Sequence, residues 1–287
     1  MLWAVLNIMD KFFLTKWIKN AISYQILLLL FDSIVIIPFI LFTKISFAYP
    51  WFILGIVSNV IISLAFIYYN KAMMMEEASR VVIMFYVNPL FVLLFAYVFL
   101  GEIFNLSKYI GIFLLVLSAI LISYKKTKGK FKMSAVLGYV LIIAISWALF
   151  EVFAKYAFNY IDYFSFTFWN VIGGVITGLS LLCFTGYRKN FLREMSKINK
   201  GRAIFWRIVT VALYYTAIIA FYTAISNEPV SLVAAIPSTQ PLFVFIYTLI
   251  LSSFIPRVLH EKYDRKTIAL KFLSVVLVFV GSWLIVS

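Results

Sequence analysis

Apolar residues run along this chain in long unbroken stretches, separated by short polar connections. Stretches of spanning length cover 24–42, 50–69, 80–100, 107–124, 136–158, 163–184, 204–226, 231–255 and 267–286. About 20 apolar residues in a helix cross a bilayer. Inside hydrocarbon every backbone group must be bonded within the structure, and the alternation over about ten residues that a barrel needs is absent, so each stretch is predicted to be a helix. The opening segment, residues 1–17, is apolar too, but Asp10 and Lys11 interrupt it and Lys16 and Lys19 close it early. It is read as a shortened first helix. A cleaved signal peptide fits less well: there is no positive leader, charges sit where the apolar centre belongs, and no small-x-small site follows. The expected fold class is therefore an all-α integral membrane protein of ten transmembrane helices. Pro38, Pro89, Pro237 and Pro241 fall inside spans, where each removes a backbone donor and bends its helix.

The chain also repeats itself. At an offset of 144, Trp3, Asn7 and Lys11 fall on Trp147, Glu151 and Lys155. At an offset of 152, Asn88-Pro89-Leu90-Phe91-Val92 falls on Gln240-Pro241-Leu242-Phe243-Val244, and Glu102 or Glu261 precedes the last helix of each half. The second half carries extra residues, Pro256 among them, ahead of its Glu. One match between apolar stretches means little; three in the same order imply two copies, 1–130 and 131–287. Five helices per copy is an odd number, so the second copy enters the membrane from the opposite face. Inverted repeats place a site near the midplane and support alternating access. The alignment also implies that the first helix lacks about seven residues present at the start of its counterpart.

Composition sharpens the class. Some 64% of residues are apolar, 13% are charged, and the mean hydropathy is +1.03, far from a soluble domain. The single Cys183 excludes a disulfide framework, and with the single His260 it cannot build a zinc site; no cofactor is expected. The net charge of +14 would suit nucleic acid, but its placement does not. Eighteen lysines and arginines lie in the connections after helices one, three, five, seven and nine, counting Lys71 and Arg80, against Lys44 and Lys108 in the others. That bias puts the basic face in the cytoplasm and both termini outside.

The run from Asn88-Pro89-Leu90-Phe91 to Leu100-Gly101-Glu102, followed by Tyr109-Ile110-Gly111, resembles the EamA type of the drug/metabolite transporter superfamily. Pro241-Leu242-Phe243 and the Trp…Lys pattern opening each half are similar to it too. The second half departs from the pattern, with Ser252-Ser253-Phe254 in place of Leu-Gly-Glu. The resemblance implies ten helices in two inverted five-helix units, carriage of small metabolites without ATP hydrolysis, and pore lining from the third and eighth helices. It also implies termini inside, against the charge bias.

Candidate chemistry lies where polar residues interrupt the spans. Trp147, Glu151 and Lys155 recur at steps of four and share one helix face, with Glu ahead of Lys as an ion pair favours. A charge deep in the bilayer is expensive, so Glu151 should face a cavity, a partner or a coupling proton; pairing with Lys155 is the structural alternative. Lys11 matches Lys155 across the repeat, with Asp10 beside it, and two cations on one cavity would favour an anionic substrate; snorkelling to the interface is the plain alternative. Asn88 and Gln240 each precede a mid-span proline, where an amide and a freed carbonyl suit ligand capture or interhelical bonding. Asn59, Tyr214 and Tyr215 are further candidate lining residues. Arg207 reads as an interface anchor, Gly174 and Gly178 as a close-packing pair, and Asp32, whose counterpart is Ile176, has no evident role.

No nucleophile with its base, paired histidines or phosphate loop is present, which argues against an enzyme. The expected function is secondary transport of small metabolites (amino-acid-like, drug-like or sugar-conjugate) across the cell membrane. Protons are a candidate coupling ion, the bilayer and a small-molecule substrate are the partners, and the protein is a monomer or homodimer. Flipping of lipid or lipid-carrier head groups, or a non-transporting scaffold, is the competing expectation.

Overall fold

The computed structural model describes residues 1–103, 105–127, 130–198, 200–230, 233, 237, 240–254 and 265–286. The chain opens with α1 (Leu2–Lys16), only 15 residues long. Asn20 then starts α2 (Ala21–Asp32), its side chain accepting from the Ser23 amide. Pro38 cannot donate to the carbonyl four residues back and crowds it, and the helix tightens into a 3-10 turn at Ser33–Val35 before continuing as α3 (Ile36–Phe42). The long α4 (Trp51–Met75) turns at Glu76 into α5 (Ala78–Phe85). Pro89 has the same effect as Pro38: the helix breaks at Tyr86–Val87 and restarts as α6 (Asn88–Phe95). A π turn, Ala96–Leu100, ends in Gly101 at φ 69°, a left-handed conformation that a residue with a Cβ resists.

Then come α7 (Leu106–Ser123) and a short antiparallel hairpin, β1 (Tyr124–Thr127) with β2 (Lys130–Met133), in which Tyr124 lies opposite Met133. The second half runs α8 (Val136–Ala157), α9 (Tyr163–Cys183), the polar α10 (Thr185–Met195), α11 (Lys200–Asn227), α12 (Gln240–Phe254) and α13 (Arg265–Val286). Asp162 opens α9 by accepting from the Phe164 and Ser165 amides.

Among the described residues seven helices are long and apolar enough to cross a membrane: Ala21–Phe42 taken through its turn, Trp51–Met75, Ala78–Leu100, Val136–Ala157, Tyr163–Cys183, Gly201–Asn227 and Lys266–Val286; Leu106–Ile122 and Gln240–Leu251 are shorter apolar helices. Large apolar side chains such as Phe42, Phe113, Phe272 and Trp283 lie exposed on the outside. In water such a surface would be a liability; in lipid it is the ordinary exterior. The chain is an integral, multi-pass membrane protein, and among the described residues its regular structure is helical apart from the hairpin.

Two features depart from the sequence reading, and one part of it falls outside the described residues. The hairpin adds two strands to an otherwise all-α expectation. Most of 231–239, the first part of an expected span, lies outside the described residues, as do His260 and Glu261. Arg80, counted with the loop cations, is buried: its guanidinium faces Glu76 at 3.8 Å and donates to the Ile122 carbonyl.

Packing is closest where glycine permits. A Cβ on Gly111 of α7 would stand 2.5 Å from the Gly281 carbonyl of α13, and one on Gly281 would meet the Gly111 carbonyl in return. Along the same seam Ser118 donates to the Ser274 carbonyl at 2.8 Å. Gly55 of α4 lies against Phe166 to Asn170 of α9, and Gly173 of α9 against the Ile56 backbone. Gly174 and Gly178 also pack within the chain, against Asn59 and Leu29. Helix α1, short as it is, lies among α4, α11 and α12, while α8 packs against α4, α5 and α6.

Candidate functional site

Between α1, α2, α4, α5, α8 and α11 lies a cavity that opens to the outside. Its polar wall is built from stripes at steps of three or four residues, the spacing that holds side chains on one helix face. Helix α1 contributes Trp3, Asn7 and Asp10; α2 contributes Gln25 and Asp32; α4 contributes Asn59 and Ser63; α8 contributes Trp147 and Glu151; α11 contributes Arg207, Thr210 and Tyr214. Asn88 and Gln240, from the starts of α6 and α12, complete it with Tyr86 and Pro237.

Most of these groups already have partners. Asp10 accepts from the Tyr24 hydroxyl at 2.6 Å, and Asn7 accepts from the Tyr69 hydroxyl at 2.7 Å. The Asn59 amide donates to Asn170 at 2.7 Å and the Ser63 hydroxyl donates to Asn59, which ties α4 to α9 beside the glycine contacts. Asn88 donates to the Ala144 carbonyl of α8 at 3.0 Å. The Tyr86 hydroxyl lies between the Pro237 carbonyl and Gln240, 2.9 Å from the Gln240 oxygen, so the two proline-broken segments meet through it.

Among the described residues the charged groups on the wall are Asp10, Asp32, Glu151 and Arg207. Arg207 reaches Asp32 at 2.6 Å, donates to Thr210 at 3.0 Å, and is 5% exposed. Asp32 therefore has a role, and Arg207 lies in the cavity wall, not at the interface where the sequence reading put it. Glu151 is 3% exposed. Its Oε1 accepts from the Trp147 ring N–H at 2.6 Å, while Oε2 has no hydrogen-bond partner; the Trp3 ring N–H is also buried without one. Around this point Trp147 meets Trp3, Phe66 and Phe85 edge-on, with ring centroids 6.1, 5.9 and 6.4 Å apart.

The ion pair expected between Glu151 and Lys155 is replaced by other bonds. Lys155 Nζ donates to the Ile225 and Glu228 carbonyls at 2.7 and 2.9 Å, closing the C-terminus of α11. Lys11 Nζ donates to the Met73 carbonyl and, at 2.7 Å, to the Glu76 carbonyl, closing the C-terminus of α4. Neither lysine lines the cavity. A cation on the last carbonyls of a helix is favoured by unsatisfied acceptors and by the helix dipole. Because Met73 and Glu76 correspond to Ile225 and Glu228 at the offset of 152, the same contact is built twice. The reading of two cations facing an anionic substrate loses its geometric basis. Tyr215 lies buried beside Tyr214, ring centroids 5.2 Å apart, outside the cavity wall.

Sequence reasoning missed Trp3, Asn7, Gln25, Tyr86 and the Asp32–Arg207 pair as cavity residues. The signal was present in the stripes 3/7/10, 25/28/32 and 207/210/214. What it lacked was the rotation of each helix about its axis.

The EamA-like transporter family matches the chain twice, over residues 1–124 and 134–287. No curated protein matches it in sequence. A crystal structure described only as that of a protein aligns over 98% of this chain and 94% of its own length, with a TM-score of 0.59 at 16% identity. At that identity the likeness is one of fold.

Proposed function

The chain belongs to the EamA-like transporter family, and from that premise we propose that it is a secondary carrier of small metabolites. It consists of ten helices in two inverted five-helix repeats and works by alternating access. The observation that carries this reading is the cavity: a chamber walled by both halves, polar at mid-span, in a protein whose exterior is apolar. The duplicated geometry supports the inverted arrangement. Lys11 and Lys155 close matching helix ends, Asn88-Pro89 and Gln240-Pro241 open matching half-helices, and Trp3 touches its own counterpart Trp147. The Gly111–Gly281 contact is reciprocal, as expected where a two-fold axis passes.

The state is asymmetric. On one side α4 and α9 are sealed by Gly55, Gly173 and the Asn59–Asn170 bond. On the other, the cavity reaches Gln25 and Arg207, only about 6 and 10 Å along their helices from the lysine-rich ends. The chamber is read as open toward the basic face, which the charge bias places in the cytoplasm.

The test is flux. Purified protein in proteoliposomes should move at least one radiolabelled solute from a panel of amino acids, amines, carboxylates and sugar conjugates, in both directions according to the imposed gradient. Lipid scrambling with no solute flux would overturn the carrier reading in favour of a flippase.

A further inference from the structure

We propose that the guest of this cavity carries a positive charge, an organic ammonium, and that its cationic head sits against Glu151 inside the ring of Trp3, Phe66, Phe85 and Trp147. The inference deepens the carrier reading and rests on it for transport, but not for binding.

It starts from what is left unbonded. Asp32 is neutralised by Arg207, and Asp10 accepts from Tyr24. Glu151 has Trp147 on one oxygen and nothing on the other, in a position 3% exposed. In either protonation state the second oxygen lacks a hydrogen-bonding group, which a buried carboxyl does not tolerate cheaply. The repeat sharpens the contrast. Asn7, the counterpart of Glu151, is a neutral amide whose oxygen is satisfied by Tyr69. The second half thus places an acid with an unmet oxygen where the first places a satisfied amide.

The surroundings choose the sign. Lys155, one turn along, is committed to the Ile225 and Glu228 carbonyls and supplies Glu151 with no counter-charge. Trp147, bonded to Glu151, meets Trp3, Phe66 and Phe85 edge-on, so these rings of the cavity lining form walls at angles to each other. Aromatic faces carry negative potential and attract ammonium groups, most strongly where water is excluded. A carboxylate guest would meet Glu151 as a like charge and the ring faces as repulsive surfaces. The charged wall sums to three acids against one arginine, again the environment of a cation.

The probes are phenethylamine, phenylacetate and phenylalanine: one ring carrying an ammonium, a carboxylate, or both. Binding to the detergent-purified full chain is read by calorimetry and by tryptophan fluorescence, since Trp3 and Trp147 line the site. Phenethylamine is expected to bind more than about tenfold tighter than phenylacetate, a difference of one decade in Kd. Glu151→Gln, equal in shape, should remove about tenfold or more of that affinity, and Trp3→Leu should weaken it while Trp3→Phe retains most of it. Equal or tighter binding of phenylacetate, no binding of any probe, or Glu151→Gln binding phenethylamine like the parent overturns the proposal. Should Glu151→Gln fail to fold, the ranking of probes on the parent protein still decides. Flux of anions or neutral solutes without cations would sink the charge assignment and leave the carrier reading standing. Cation binding with no flux of any solute would do the reverse.

Discussion

Asp32 and Arg207 meet at 2.6 Å on the cavity wall, and each is costly there without the other. Asp32→Ala leaves a guanidinium 5% exposed with its counter-ion gone. The expected loss is about 1–3 kcal/mol, below the figure for a fully enclosed pair because the Asp32 side chain retains 21% exposure. Asp32→Ala with Arg207→Met should recover most of it, and melting of the detergent-solubilised proteins measures both. A double variant as unstable as the single would show that Arg207 serves some other contact. The two residues show what a sequence conveys and what it withholds. Gln25 with Asp32, and Arg207 with Thr210 and Tyr214, are legible as polar positions on single helix faces, yet the partner of each face depends on how two distant helices are rotated. Glu151 was legible from depth alone. Lys155 was not, because a lysine of that reach has both a carboxylate one turn away and a set of helix-end carbonyls within range, and only packing decides between them.

At the scale of the helix, the two lysine caps and the glycine seams carry separate expectations. Lys11→Met and Lys155→Met each withdraw a charged donor from two carbonyls, worth roughly 1.5–3 kcal/mol for hydrogen bonds to a charged group. The loss should be greater for Lys11, which is 9% exposed, than for the half-buried Lys155. Thermal melting ranks them; equal melting with the parent would mean that water closes these helix ends as well as lysine does. Gly173→Ala places a methyl group onto the Ile56 carbonyl and should lower the yield of folded protein sharply, whereas Gly138→Ala meets nothing within 4 Å and should be neutral. Size-exclusion profiles of the two variants distinguish these outcomes. Element boundaries were largely legible, since apolar runs set the spans and Pro38 and Pro89 mark where helices break. The hairpin between the halves was not, because Lys125 to Lys132 reads as a basic connection with no apolar alternation to announce strands.

For the whole molecule, the expectation concerns which walls of the chamber water can reach. In a Cys183→Ser background, Leu28→Cys, half-buried on the cavity wall, should react with a membrane-impermeant maleimide added from the basic face. Asn170→Cys, buried behind Asn59 and the Gly55 carbonyl, should stay unlabelled from either side until the carrier turns over. Prompt labelling of Asn170→Cys from the face opposite would contradict the sealed wall. The offsets of 144 and 152 point to the two copies that the family match over each half also supports, but not to the inequality of the halves: Gly55 closes one seam with no side chain, and at its counterpart stands Arg207. A perfect duplicate would rest with equal ease at either end of its cycle. Under the proposed alternating access, a guanidinium where the other half has only hydrogen tilts that seesaw, because Arg207 is tied to Asp32 in the cavity wall while Gly55 lets α4 and α9 close.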